Sequence, residues 1–584
     1  MKRSRLRGGT AFGVLCSMTI VVAAASPPRS SSIALDGTVP ICDSTNPSAG
    51  HGAAGVPITL AQWADGAQQF EGLGSFHRAV TTTSPKAQAY FDQGMRLLWA
   101  FNHEESSRSF AKAAAIDPGC AMRLWGVALT VGPNYNLPMM AAPRAKVAFD
   151  ALQRARVAAS RGTPVEQALI SALAARYPDA KPLDPSSEGP VLTAYAQAMQ
   201  RVARAYPDDG DVQTLTAEAL MNVNAWKLWS LDGTPAEGTE AIVALLEGVM
   251  AKQPTHPGAN HYYIHATEAS PHPDKAVAAA ERLPGMMPAA GHLEHMPAHI
   301  MQRVGRYADA ALANRKGADA DVAYFAMTRP PDYYAMYTAH NYQFLAYSTS
   351  MQGRRADTLD AVRKSRAVIS DSLLAAMPGS DWYVGELYIG MVRFGLWDEV
   401  LAQPAPDAKL AALTAGYRYA RTMALAAKGR IAEAGSELAS LETLAAAATA
   451  DDSAGLNSAA DVLAVAVLVG KARIAQARKQ DNEAIALLTE AATKEDALAY
   501  DEPSDWFIPV RHMVGVALLR AGRPQDAEQV HQADLRRHPE NGWALYGLAQ
   551  SLTAQKQEGA AQAARARFVK AWKNADIALS ASSF

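Results

Sequence analysis

The sequence predicts an all-α chain of antiparallel helix pairs, and three observations carry that expectation. Beyond residue 84 the chain is rich in Ala and Leu, and apolar residues recur at three- and four-residue spacing, the period of amphipathic helices, with little β-branched alternation. A Gly-Arg step followed closely by Asp or Glu recurs in Gly305-Arg306-Tyr307-Ala308-Asp309-Ala310, Gly353-Arg354-Arg355-Ala356-Asp357, Gly429-Arg430-Ile431-Ala432-Glu433-Ala434 and Gly522-Arg523-Pro524-Gln525-Asp526-Ala527. Gly lets the backbone turn, the acid favours a helix N-terminus, and Ala allows close packing. Polar turns and prolines also punctuate helical runs, as where Tyr90 to Trp99 is followed by Glu105 to Ala114 and then Asp117-Pro118.

A helix, a polar turn, a second helix and a terminating Pro resemble the tetratricopeptide family over most of residues 84–575. The resemblance implies an α-solenoid, a right-handed superhelix of antiparallel helix pairs whose first helices line a concave surface. In that family the surface usually binds peptides or proteins, and catalysis is uncommon. A small-molecule or peptide ligand in the concave groove is therefore the expected partner.

The amino terminus reads as a signal peptide, residues 1–25. Lys2, Arg3, Arg5 and Arg7 precede an apolar stretch of about fifteen residues that ends in Ala23-Ala24-Ala25, a small-x-small cleavage pattern. The stretch is short for a membrane span, which needs about 20 residues. A periplasmic or secreted location is expected, with no membrane contact once the signal is removed. Residues 26–83 are expected to be a mostly disordered lead-in, on the Ser, Pro, Gly and Ala content of their first half. Two helical regions, 84–370 and 371–584, follow. Of three cysteines, Cys16 leaves with the signal, and Cys42 and Cys120 are available for one disulfide. With a net charge of −2 and no basic tract, nucleic acid is a poor partner.

Chemistry concentrates between His261 and His340. His261 and His265 are spaced i, i+4, with Glu268 one turn further on the same stripe, and His292, His295 and His299 fall within about 60° of one another at helical pitch. His261 to His295 is 34 residues, as is His265 to His299, the tetratricopeptide period. The two pairs therefore belong on the first helices of adjacent units, close enough to converge on one ion. His340 follows His292 by 48 residues, the same interval that separates Gly353 from Gly305, which puts it on a third helix.

Clustered neutral imidazoles without thiolates suit copper, zinc or non-haem iron, and six of them suffice for two copper ions. Glu268 or Glu294 is the candidate general base. His272, between prolines, reads as a turn residue, and Pro297 threatens the helical placement of His292 and His295. A lone histidine on a helix face is ordinarily a core or surface residue. The aligned pairs are what lift these above that reading.

Asn102-His103-Glu104, Gly132 to Asn136, Glu218 with Asn222, Tyr500-Asp501-Glu502-Pro503 and the tyrosines 333, 334, 337 and 342 could surround such a site, though each more often serves as turn, cap or packing. Met286, Met287, Met296 and Met301 more often fill core than ligate. The block from Asn260 to Tyr307 also resembles a recurring signature of exported bacterial tetratricopeptide proteins, which implies no particular reaction. HExxH, Walker A and GxSxG motifs are absent. The sequence thus supports a metalloprotein, as a metal-dependent oxidoreductase or hydrolase. A non-catalytic scaffold and a metal carrier are the competing readings.

Overall fold

The computed structural model describes residues 57–584 except 138, 139, 141, 184–187, 329, 331, 377, 378 and 450. The expected signal segment and Cys42 lie outside the described residues, and so does any pairing of Cys42 with Cys120, which is buried. Among the described residues the only paired strands are Ser453–Ala454 and Asn457–Ser458, and no helix is long and apolar enough to cross a membrane.

The chain is an all-α tetratricopeptide-like solenoid of antiparallel helix pairs. Three consecutive pairs carry the histidines. They are Pro257–Thr267 with Val277–Arg282, the broken helix Gly291–His295 and Pro297–Arg303 with Tyr307–Met327, and Ala335–Ser350 with Arg355–Val368. Before them stand Pro85–Trp99 with His103–Ile116 and Ala121–Thr130 with Ala142–Ala158. Beyond them, pairs such as Ala411–Ala427 with Ile431–Ala447 and Val510–Arg520 with Pro524–Arg537 continue the stack.

The Gly-Arg turns have a common construction. Gly305, Gly353, Gly429 and Gly522 all have φ between +68° and +78°, the left-handed region that L side chains avoid. Arg306, Arg354, Arg430 and Arg523 then cap the next helix, and each pairs with the acid three residues on: Asp309, Asp357, Glu433 and Asp526. The acid sits in the first turn, where the helix dipole favours it.

Two expectations need correction. The lead-in, taken as running to residue 83, is folded onto the solenoid from residue 57. Trp63 of the short helix Leu60–Ala64 is fully buried, with the Arg108 and Arg144 guanidiniums over its ring at 5.6 and 5.3 Å. Arg78 makes buried ion pairs with Asp209 and Asp211, and the Gly72 carbonyl accepts from the Ala289 amide. The polar composition of this segment hides a few strongly held anchors. The second correction concerns the division at residue 370. One apolar core runs from Trp63 to Phe344 and the next from Tyr307 to Ala527, so the cores meet on helices Tyr307–Met327 and Ala335–Ser350. That is the level of the histidines.

A Cβ on Gly353 would lie 2.1 Å from the Trp572 ring, whereas one on Gly429 would meet nothing within 4 Å. Gly429→Ala is expected to lose only the backbone term, about 1 kcal/mol. Gly353→Ala should lose about 2–4 kcal/mol, because overpacking adds to that term. Urea midpoints of the two variants check this, and equal losses would contradict the Trp572 contact.

Candidate metal centre

The helix Pro257–Thr267 is set by its N-cap. His256 Nδ1 accepts from the Ala259 amide, Pro257 occupies the first turn, and His256 Nε2 meets Asp211 at 3.0 Å. This fixes the face that carries His261 and His265. Pro297 interrupts the next first helix, but His292, His295 and His299 all remain on helical turns, the first two before the break and His299 after it. His340 lies on Ala335–Ser350, the third first helix, as its spacing predicts.

These six histidines meet as two triads rather than converging on one ion. His261, His265 and His292 form one group and His295, His299 and His340 the other, the ligand atoms within each lying within 4.8 Å of one another. In the first, His261 Nε2 and His292 Nε2 are 3.1 Å apart, and in the second His295 Nε2 and His299 Nε2 are 2.8 Å apart. The equivalent pairs at 34-residue spacing therefore belong to different triads. The triads are in contact: ring centroids of His265 and His299 are 5.7 Å apart, and those of His292 and His295 are 5.9 Å apart. His261, His265, His292, His295 and His299 are at most 7% exposed, and His340 is half-buried.

Four of the six rings are oriented from outside. His261 Nδ1 donates to the Trp99 carbonyl at 2.6 Å, one of the last carbonyls of helix Pro85–Trp99, which have no intrahelical partner. His295 Nδ1 donates to Asn314 Oδ1 at 2.6 Å, while Asn314 Nδ2 is spent on the Ala310 carbonyl. His265 Nδ1 donates to Glu268 Oε1 at 3.1 Å. His299 Nδ1 faces Glu268 Oε2 at 2.8 Å and also Glu502. With Nδ1 held in this way, Nε2 of each of these rings is left to the centre, the arrangement that metal-ligating histidines require. His265 Nε2 in the first triad and His340 Nδ1 in the second are buried without a hydrogen-bond partner. Leaving such an atom unsatisfied costs about 1–3 kcal/mol.

Each triad is also backed by one phenylalanine. Phe101 packs on His261, His265 and His292 with centroid separations of 4.6, 5.8 and 5.5 Å. Phe344 packs on His295, His299 and His340 at 5.4, 5.1 and 5.7 Å. Phe101 has φ +54° just past the end of helix Pro85–Trp99, where the Asn102 and Phe101 amides return to Leu97 and Leu98. Glycine ordinarily fills that position. Trp226 also has positive φ, +61°, and its ring lies 5.7 Å from that of His265. Two aromatic residues in left-handed backbone therefore touch the centre, and residues held in that region tend to mark functional sites.

Electrostatics separate one histidine from the rest. Burial, and then the neighbouring imidazoles, hold His261, His292 and His295 well below the ordinary histidine range; His265 is lowered in the same way by burial and His299. His340 is lowered to about 3. Burial also opposes charge on His299, but Glu502 and Glu268 outweigh it and raise its pKa to about 10. Burial in turn pushes Glu502 up to about 7. In the metal-free protein, five neutral rings and one imidazolium share the centre.

Glu268 stands where the sequence placed it, one turn beyond His265, though it holds rings rather than facing open space. Glu294 does not join the centre: its Oε1 accepts from the Gly285 amide at 2.7 Å, which ties down the loop before its helix. His272 is exposed on a turn. Glu218 and Asn222 bond to each other at 2.6 Å. His103 meets Asn134 behind Phe101, joining two of the polar motifs. Glu502 belongs to the Tyr500-Asp501-Glu502-Pro503 stretch named as a possible surround of the site, but nothing local in the sequence marks it as the residue that meets His299. Phe101, Phe344 and Asn314 gave no signal as site residues.

A cavity of about 40 Å³ lies against the triads, lined by His265, His292, His299 and His340 with Trp226, Tyr337 and Met336 among its other walls. That is room for a few water-sized groups. Trp226 also borders a groove of about 1430 Å³ with Trp229, Arg303 and Tyr500 on its surface, so one indole divides groove from cavity.

No family model and no curated protein matches the chain. Among solved structures it is similar to a human IFIT1 dimer with m7Gppp-AAAA, at 11% identity over 85% of this chain and 92% of that chain with a TM-score of 0.29. It is also similar to a human IFIT1 dimer with PPP-AAAA, at 11% identity over 84% and 91% with a TM-score of 0.33. At TM-scores this low, neither the course of that superhelix nor its ligands transfer to this chain.

The His299 charge is open to direct test. In metal-free protein the imidazole nitrogen resonances of His299 should stay those of a doubly protonated ring up to about pH 10, and the stability this proton lends, complete below the ordinary histidine pKa of about 6.5, should fade as pH rises to that value. Glu502→Gln removes one of the two carboxylates and should bring the transition down by at least one pH unit. An unchanged transition would place the charge elsewhere.

Proposed function

We propose that the chain is a histidine-ligated transition-metal protein, a metal-dependent enzyme whose centre is built from His261, His265, His292, His295, His299 and His340. One observation carries this reading above all: in each triad buried ring nitrogens converge, while outside partners hold the opposite nitrogens of two of the three rings. His512, outside the centre, uses both nitrogens on neighbours, Arg393 and Asp534, while His531 is buried with neither nitrogen bonded. Here the inward nitrogens meet only one another or nothing.

The chemistry of the donors narrows the ion. Neutral imidazoles without thiolate suit copper, zinc and iron, in the order of affinity that copper leads. Glu268, already engaged with two rings, supports a role in orienting ligands and in holding a proton beside the centre, rather than the free general base first expected of it. A small substrate would arrive from the groove past Trp226. Export to the periplasm or beyond, with the chain maturing after loss of its first 25 residues, belongs to the same proposal. A scaffold that binds partners along its groove remains the competing reading; it gives the converging nitrogens no task.

Protein purified from its native compartment without an affinity tag should contain near-stoichiometric copper, zinc or iron by elemental mass spectrometry. His265→Ala and His299→Ala should each lose metal and melt at lower temperature, since an ion at a thousand times its Kd stabilises the fold by about 4 kcal/mol. A variant that keeps full metal content would remove its histidine from the centre, and wild-type protein that takes up none of these ions would return the chain to the scaffold reading.

A further inference from the structure

We infer that the centre is a coupled pair of copper ions, one per triad, that binds dioxygen between them; this rests on the metal reading above and adds the number of ions, their identity and the ligand.

The number follows from the grouping. Each triad offers a complete set of three nitrogens, the two triads have no histidine in common although His299 also groups with Glu268 and Glu502, and each has its own phenylalanine backing and its own unpartnered buried nitrogen. A single ion could use one set and would leave the other orphaned in a dry interior. The triads touch through His265 with His299 and through His292 with His295, so ions held in both lie near enough to share one small bridging ligand. The cavity of about 40 Å³ opens on members of both triads and matches a diatomic rather than an organic molecule.

Copper follows from charge. The carboxylates in contact with the rings are Glu268 and Glu502, and no other carboxylate touches them among the described residues. Arg303, which donates to the carbonyls of Glu268 and Ser270 and lies over the Tyr500 ring, already draws on that negative charge. Buried charge must be compensated nearby. Two Cu(I) ions bring two positive charges against two carboxylates, whereas two zinc or two ferrous ions bring four. Trigonal sets of neutral imidazoles also accept Cu(I) without a further anion, His299 releasing its Nε2 proton to solvent as the ion enters and keeping the Nδ1 proton on its carboxylates.

Dioxygen binding then balances without any other reactant. Each Cu(I) gives one electron, the two electrons reduce O2 to bound peroxide, and the ions become Cu(II). The summed charge of ions and ligand is again plus two, so the surrounding carboxylates need not change. No proton moves and no bond to a side chain forms, and release of O2 reverses the step.

The test uses the full chain, freed of metal and titrated anaerobically with Cu(I) against a chromophoric chelator. Two coppers per chain are expected. On exposure to air, an oxygen electrode should register one O2 consumed per two coppers, and the oxidised protein should lack the paramagnetic resonance of isolated Cu(II) because neighbouring spins pair. His292→Ala and His340→Ala disturb different triads; each should keep one copper, show a mononuclear Cu(II) signal and lose oxygen uptake. Two coppers with full-intensity signals and no oxygen uptake would overturn the coupled pair. One copper per chain, or preference for zinc, would also overturn it while leaving the metal centre intact. Failure to bind any transition ion would overturn the metal reading itself.

Discussion

A buried imidazolium between two buried carboxylates ties this solenoid together. His299 belongs to the first core and Glu502 to a loop packed in the second, and their contact, with Glu268, joins residues far apart in the chain. Pairs of this kind are poor sources of net stability, because desolvation opposes the attraction. Breaking one is nevertheless severe, since the partner left behind is a buried charge. The arrangement therefore specifies more than it stabilises: only one docking of the two cores satisfies His299 with both Glu268 and Glu502. Position and chemistry are set by the same contact.

Much of this was legible in the sequence because it is local. Helical periodicity, the Gly-Arg turns and the 34-residue interval all depend on neighbours along the chain, and each describes the structure. The interval placed His261, His265, His295 and His299 on adjacent first helices. What it could not give was which rings face which. The break at Met296-Pro297 and the crossing of three first helices carry His292 toward one pair and His340 toward the other. Phe101 and Phe344 were invisible, and Glu502 was one of a polar stretch and no more, for the same reason: their roles exist only in the packed structure. Residues 57–83 misled in the opposite way, since average composition says nothing of the single Trp63 or Arg78 that anchors them.

The tetratricopeptide plan suits such a centre. Stacked first helices present parallel faces about 8–10 Å apart, and a histidine on each can reach into the space between. Second helices then supply outward support, as Asn314 of Tyr307–Met327 does for His295. The rigid part is thus built from pairs that ordinarily form recognition surfaces, and the groove beside Trp226 keeps such a surface next to the buried rings.

Burial of the rings has a consequence for time as well as for affinity. An ion held in either triad, among rings nearly all free of solvent contact, would leave only when part of the wall gives way, so its exchange would be governed by local opening rather than by bond strength. The wall has two softer places, half-buried His340 and the Trp226 indole held in left-handed backbone. On the metal reading, whatever first occupied the triads while the chain folded would stay there long after a competitor reached higher concentration. The compartment in which folding happens, more than the equilibrium order of metal affinities, would on that reading decide which element the protein carries.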